Sequence, residues 1–101
     1  MTKTDPRIND ERITLGSGNV FLDLGFDPAE AHIMQMRATV MLGIEQKLKE
    51  QGWTQVQAAK QLGITQPRVS KLLKGVWQDF SLDTLLTLAS RAGMRPQLNF
   101  A

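Results

Sequence analysis

Five polar side chains between positions 66 and 74 carry the chemistry that this 101-residue sequence most clearly offers. They are Gln66, Arg68, Ser70, Lys71 and Lys74. A glutamine amide pairs bidentately with the edge of adenine, and an arginine or a lysine binds the edge of guanine. Lysine and arginine also neutralise phosphate oxygens. Residues of these types in one short segment therefore predict binding to nucleic acid.

The distribution of charge points the same way, whereas the net charge of only +2 is a poor guide. Between Glu50 and Asp79 the sequence has no acidic residue, and its basic residues give this window a charge of +4, leaving −2 for the rest of the chain. A basic segment on a near-neutral protein is an electrostatic footprint for phosphate. A solvated surface patch would have the same charge, so charge alone leaves both interpretations open. The basic residues of the window are Lys60, Arg68, Lys71 and Lys74.

Composition excludes several other classes of protein. Hydrophobic residues make up 42% of the chain, which is typical of a globular domain, and the lack of cysteine rules out disulfides and thiolate metal sites. His32 is the only histidine and is expected on an exposed helix surface, so we predict no metal and no cofactor. No nucleophile, base and orienting group occur together, so we predict no enzyme. A polar N-terminus and the lack of an apolar run near ~18 residues predict a cytoplasmic protein without a membrane partner.

Capping residues mark the start of a first long helix. Asp27 is a good N-cap, Pro28 suits the first helical position, and Gly52 fits the left-handed residue that ends a helix near Gln51. Upstream, residues 19–24 are rich in β-type residues and predict a short strand. Residues 1–16 lack periodicity and are expected to form a flexible N-terminal arm, ahead of one domain over 17–101.

Two short helices follow, and only a tight turn joins them. The first is predicted from Thr54 to Leu62 and the second from Thr65 to about Lys74. A turn this short forces two helices to cross steeply. Small residues are needed where the helices touch, and Gly63 can adopt the positive φ of the turn. The core of this helix-turn-helix is predicted to comprise Ala59, Leu62, Gly63, Ile64, Val69 and Leu72.

A last helix is capped by Ser81 and stops at Gly93. Beyond it, Leu98 and Phe100 alternate with polar neighbours, and Pro96 would place such a strand at a sheet edge. The sequence therefore predicts a mainly all-α fold, a bundle of four to five helices with one or two short terminal β-strands.

The run TQVQAAKQLGITQPRVSKLLKG, residues 54–75, resembles the helix-turn-helix of the Xre/Cro/C1 family of bacterial and phage repressors. The small residue of that family's first helix matches Ala59, and its turn glycine matches Gly63. Its apolar positions match Ile64, Val69 and Leu72. The resemblance implies a lambda-repressor-like bundle that places a recognition helix, about residues 66–74, in the major groove of duplex DNA.

The family's base-reading positions fall on Gln66, Pro67 and Lys71, with Ser70 beside them. Pro67 departs from a polar base-reader and could offer only apolar contact, so Arg68 is expected to read a base or bind phosphate. These five residues are the predicted base-reading set. Phosphate contacts are expected at helix starts and at exposed lysines: Thr54, Gln55, Lys60, Thr65, Lys74 and Ser81.

The flanking sequence extends the resemblance to a HigA-like antitoxin subgroup over roughly residues 17–100. The segments that carry it are SGNVFLDLG at 17–25 and FSLDTL at 80–85. This resemblance implies a homodimer on a pseudo-palindromic operator, autorepression, and a toxin partner of the RelE/HigB type.

Alternative functions remain open at this point. A stand-alone repressor would have the same helix-turn-helix and no toxin partner. A protein-interaction module would use the apolar residues Ile33, Met34 and Met36 as its working surface, with a vestigial helix-turn-helix. RNA binding is disfavoured because the chain has no tyrosine and only two tryptophans to form a stacking platform.

Overall fold

The computed structural model describes residues 19–100, and this part of the chain contains helices and no β-strand. The all-α prediction is confirmed, and the terminal strands are not found. The predicted arm over residues 1–16 lies outside the described residues. The helices are α1 (Val20–Asp23), α2 (Pro28–Gln51), α3 (Gln55–Leu62), α4 (Gln66–Leu73) and α5 (Leu82–Arg91), with a 3₁₀ turn at Trp77–Asp79 between α4 and α5.

The strand predicted at residues 19–24 is wrong, because α1 occupies this segment. Asn19 caps the helix: its side-chain oxygen accepts hydrogen bonds from the backbone N–H of Phe21 at 2.9 Å and of Leu22 at 3.4 Å. Its amide nitrogen donates to the carbonyl oxygen of Ala31 at 3.2 Å, and the Asn19 side chain is buried. The side chain thus satisfies the backbone of a short helix, and this local bonding overrides the β preference of the residues that follow.

Helix α2 begins as predicted, because Asp27 accepts hydrogen bonds from the N–H groups of Ala29 and Glu30. Its 24 residues make it about 36 Å long, and it ends at Gly52, whose φ is +68°. The chain divides into two compact units within α2, between Gln35 and Met36. Of the described residues, the first unit holds α1 and the first two turns of α2. The second unit holds everything after them.

The second unit has one hydrophobic core, to which every helix after residue 36 contributes. The largest fully buried side chain is Phe80, which follows the 3₁₀ turn. Around it lie residues from the end of α2 and from α3, α4 and α5, so these helices share one core. The buried members are Met41, Ile44, Leu48, Ala58, Leu62, Val69, Leu72, Phe80, Leu85, Leu88, Ala89 and Ala92.

The strand predicted at the C-terminus is also wrong, because residues 94–100 have no regular secondary structure. Leu98 is 66% exposed and Phe100 is 88% exposed. A strand needs a neighbour to receive its backbone hydrogen bonds. Residues 19–100 contain no strand that could serve as this neighbour. Alternation over three residues is therefore too weak a signal here. Over the same range, no helix is both long enough and apolar enough to span a membrane.

Candidate nucleic-acid interface

The turn between α3 and α4 is built from local hydrogen bonds that the sequence specifies. Thr54 and Gln57 form a capping box: the hydroxyl of Thr54 accepts from Gln57 N at 3.1 Å, and Gln57 Oε1 accepts from Thr54 N at 2.9 Å. At the other end of α3, Gly63 has φ +71° and ψ +31°. The N–H groups of Gly63 and Ile64 both bond to the carbonyl oxygen of Ala59, at 2.9 and 3.1 Å. Helix α3 therefore ends at Leu62, and only three residues separate it from the start of α4 at Gln66.

Helix α4 starts directly after this turn. The hydroxyl of Thr65 accepts a hydrogen bond from Arg68 N at 3.3 Å, which confirms Thr65 as the N-cap. Pro67 lies in the first turn, where the N–H that proline lacks would have no helical acceptor. Two apolar residues of α4 fix its inner face, because Val69 is fully buried and Leu72 is 2% exposed. They pack with Leu62, while Ala59 and Ile64 lie half-buried against the same core.

The opposite face of α4 is polar and open to solvent. Gln66, Pro67 and Lys71 are exposed, and Ser70 is half-buried. Each residue advances about 100° around an α-helix. Gln66 and Ser70 therefore lie about 40° apart, and Lys71 lies about 140° from Gln66. Lys74, the exposed C-cap residue, falls within the same arc. The structure thus brings four predicted base-readers onto one outward face.

Arg68 lies elsewhere on α4, about 200° around the helix from Gln66. Its guanidinium stacks over the ring of Phe80, with 4.6 Å from Cζ to the ring centroid. Its Nη2 also points to the carbonyl oxygen of Asp79, at 3.5 Å. Arg68 is therefore joined to the last residue of the 3₁₀ turn and to the residue after it, and its side chain lies outside the arc that holds the other predicted base-readers.

Lys71 has an acidic neighbour. Its Nζ lies 2.9 Å from Oδ2 of Asp79, and the two side chains are 55% and 37% exposed. Exposed ion pairs contribute little, typically ~0.2–1 kcal/mol, because water screens both charges. The pair can therefore open at small cost when a better acceptor reaches Lys71.

All six residues predicted to contact phosphate are exposed. Three of them are N-cap residues, since Thr54, Thr65 and Ser81 each accept a backbone N–H through the hydroxyl oxygen. An oxygen that accepts a bond can still donate its own proton, although the hydroxyl of Ser81 already lies 2.9 Å from that of Thr84. The structure places the other three on exposed surface: Gln55, Lys60 and Lys74.

Arg91 stabilises the turn from the far end of the chain, and the sequence gives no sign of it. Its Nη1 donates to the carbonyl oxygen of Leu62 at 2.9 Å, and its own carbonyl accepts from Nε2 of Gln61 at 3.0 Å. The partners are 29 and 30 residues apart in the chain, so no periodicity or cap signal connects them. Asp79 and Phe80 also lie outside the helix-turn-helix segment, yet they contact Lys71 and Arg68 of α4.

This geometry defines a helix-turn-helix, in which a short first helix and a tight turn present the polar face of a second helix. Comparison with known families agrees. A family model described as a helix-turn-helix domain matches residues 20–100, and the chain belongs to this family. The assignment indicates a DNA-binding regulator. No curated protein matches the chain.

Proposed function

We propose that this protein is a sequence-specific DNA-binding repressor of transcription that inserts α4 into the major groove. One observation carries the proposal: a single helix buries Val69 and Leu72 while it exposes Gln66 and Lys71 on the opposite face. The major groove is about 12 Å wide and accepts one α-helix with its side chains. A helix fixed from one side only, with donors and acceptors on the other, fits this requirement.

Within this proposal Gln66 and Lys71 read bases, and Ser70 supports them. Gln66 pairs with adenine and Lys71 with guanine, each contact contributing ~1–3 kcal/mol of discrimination. Pro67 offers apolar contact, as to a thymine methyl group. Arg68 positions the segment that follows α4, because its guanidinium is engaged by Phe80.

The contacts to the DNA backbone fall at both ends of the motif. The N–H groups of Gln55 and Val56 open α3 and have no acceptor within the helix, so they suit phosphate oxygens. Lys60 and Lys74 add positive charge. Such contacts set the register of the protein on DNA and carry no sequence information themselves.

The regulator acts as a homodimer on a pseudo-palindromic operator, with its two recognition helices about 34 Å apart. The resemblance to HigA-like antitoxins supports a further step, in which the protein represses its own toxin–antitoxin operon and binds a toxin of the RelE/HigB type. A protein of this kind works in the cytoplasm, where the DNA of the resembled bacterial repressors lies, and catalyses no reaction. Sedimentation velocity, run without DNA and again with operator DNA, tests the dimer. Co-expression with the neighbouring gene product, followed by co-purification, tests the toxin.

Selection from a pool of random duplexes tests the central proposal, because the selected sequences themselves define the operator. We expect one enriched, two-fold symmetric sequence. The Gln66→Ala variant should lose preference at one position of each half-site. Gln97→Ala is its matched control, because Gln97 is an exposed glutamine outside the helix-turn-helix. A pool that shows no enrichment with the wild-type protein would refute the proposal.

Lys71→Ala provides a second comparison, matched to Lys49→Ala. Lys49 is also an exposed lysine paired with a carboxylate, at 3.5 Å from Glu45 Oε2. The Lys71 variant should relax the preference at one operator position, whereas the Lys49 variant should select the wild-type sequence. Equal loss of affinity for all sequences would make Lys71 a phosphate contact.

A further inference from the structure

Asp79 is the one acidic residue between positions 51 and 82, yet its carboxylate lies against Lys71 on the exposed polar face of α4. An acidic group beside a DNA-binding surface repels phosphate. It therefore weakens binding unless it also makes a favourable contact with the DNA. Its main chain is anchored: Asp79 N donates to Val76 O at 3.3 Å, and its carbonyl oxygen faces Arg68 Nη2 at 3.5 Å. The carboxylate is therefore carried on a fixed backbone next to Lys71.

We propose that Lys71 and Asp79 together read a single G·C base pair, with Asp79 as a further specificity-determining residue. This inference rests on the proposed DNA binding. It adds a residue outside the helix-turn-helix segment and names the base pair that the two residues prefer.

The match between the ion pair and the base pair is one of spacing and of charge. In the major groove, guanine presents the acceptors N7 and O6, and cytosine presents the donor N4–H₂. Guanine O6 accepts one N4 hydrogen within the base pair, so O6 and N4 are separated by about 2.9 Å, a normal hydrogen-bond distance. The Nζ of Lys71 and Oδ2 of Asp79 are separated by 2.9 Å as well. The ammonium can therefore face O6 and N7 while the carboxylate accepts the second N4 hydrogen.

The other base pairs and the DNA backbone fit less well. An A·T pair also juxtaposes a donor and an acceptor, but it offers the ammonium one acceptor, O4, next to the thymine methyl group. A phosphate oxygen could bind the ammonium of Lys71 instead, but this would leave the Asp79 carboxylate unpaired beside the negatively charged DNA backbone. Asp79 thus lowers affinity for arbitrary DNA and raises the preference for G·C at one position.

The test compares Asp79→Asn with Asp83→Asn. Both variants remove one exposed carboxylate, but Asp83 lies in the first turn of α5 and makes no ion pair with a described residue. Each protein is taken through selection from random duplexes, and its binding to a labelled 20-base-pair duplex of random sequence is measured against salt concentration.

We expect the wild-type protein to require G·C at the position that Lys71→Ala relaxes. In Asp79→Asn the preference at this position should fall about fivefold to tenfold, because the amide oxygen can still accept the N4 hydrogen but without the negative charge, a difference of about 1 kcal/mol between a charged and a neutral hydrogen bond. Binding to the random duplex should become about threefold tighter, with a salt slope steeper by ~0.9, since one more lysine is free for phosphate. Asp83→Asn should match the wild type in base preference.

Three outcomes would overturn the inference: an A·T preference at this position, an unchanged G·C preference in Asp79→Asn, or equal effects of the two asparagine variants. If the wild-type protein itself selects no sequence, the proposed DNA binding fails instead. The two failures are therefore distinguishable.

Discussion

Arg91 Nη1 donates a hydrogen bond to the carbonyl oxygen of Leu62 at 2.9 Å, which joins the last turn of α5 to the last turn of α3. The carbonyl groups at the end of a helix have no donor within the helix and need external donors. Gly63 follows Leu62 directly and forms the turn. This contact therefore lies at the point that sets the direction of α4. A residue outside the motif thus contributes to the geometry of the motif.

Replacing Arg91 by methionine should therefore destabilise the turn while it preserves most of the apolar side chain. We expect a loss of about 1 kcal/mol in the free energy of unfolding, typical for one hydrogen bond, and a Tm lower by ~4–8 °C. Thermal melts followed by circular dichroism give both values. Arg95→Met is the matched control, because Arg95 is an exposed arginine in the tail after α5. Equal melting temperatures for the two variants would show that the contact contributes nothing.

Gly63 is constrained in two ways, because alanine there would strain the backbone and would also push aside the end of the Arg91 side chain, at the cost of about one hydrogen bond to Leu62. Its φ of +71° is unfavourable for residues with a Cβ, by ~1–2 kcal/mol, and an added Cβ would lie 2.9 Å from Arg91 Nη1. Gly52 has a similar φ of +68°, but a Cβ there would meet open space. Chemical denaturation should therefore show a larger loss for Gly63→Ala than for Gly52→Ala.

The double variant Gly63→Ala with Arg91→Met separates these two constraints. If the approach of Arg91 causes the additional loss, the two changes together should cost less than the sum of the single changes. Strict additivity would assign the whole effect to the backbone and contradict the role of Arg91.

The local part of this structure could be predicted from the sequence. Thr54, Thr65 and Ser81 cap helices where their side chains suggest it, because a cap involves residues only two or three positions apart. Gly63 adopts the left-handed turn for the same reason. These signals are enough to locate α3, α4 and the polar face of α4.

The sequence-based predictions are wrong or incomplete where contacts between residues distant in the chain determine the structure. The segment after Asn19 has β-type residues, but a buried hydrogen bond from Asn19 to Ala31 accompanies a helix there. The contacts of Lys71 with Asp79 and of Arg68 with Phe80 join positions 8 and 12 apart across a change of direction. Neither helical nor strand periodicity encodes such contacts. The sequence motif alone therefore predicts that Arg68 reads a base, because it does not reveal that the Arg68 guanidinium stacks on Phe80.

The stacking of Arg68 on Phe80 leads to a prediction that separates structure from recognition. Arg68→Met should lower the free energy of unfolding by roughly 0.5–1 kcal/mol, the usual size of a cation–π contact at a partly exposed site. It should leave base preference unchanged at every operator position except the one assigned to Lys71 and Asp79, because Arg68 lies outside the exposed arc of α4 and contacts only the main chain of Asp79 on that side. Arg68→Lys should not restore full stability, since lysine lacks the planar group that stacks.

Thermal melts and selection from random duplexes check the two halves of this prediction. Arg95→Met again serves as the control for loss of one positive charge. A change of base preference in Arg68→Met at an operator position other than that of Lys71 and Asp79 would make Arg68 a base-reader and contradict the structural role.

Lys74 offers a test of phosphate contact that does not depend on the operator. It is exposed at the C-cap of α4, and removing it should release one fewer counterion on binding. The slope of the logarithm of the binding constant against the logarithm of salt concentration should become shallower by ~0.9 in Lys74→Ala. Base preference should not change, because phosphate contacts carry no sequence information. Lys49→Ala removes an exposed lysine from α2 and should leave the slope unaltered. An unchanged slope in Lys74→Ala would place this residue off the DNA, and the orientation of α4 in the groove would then have to be revised.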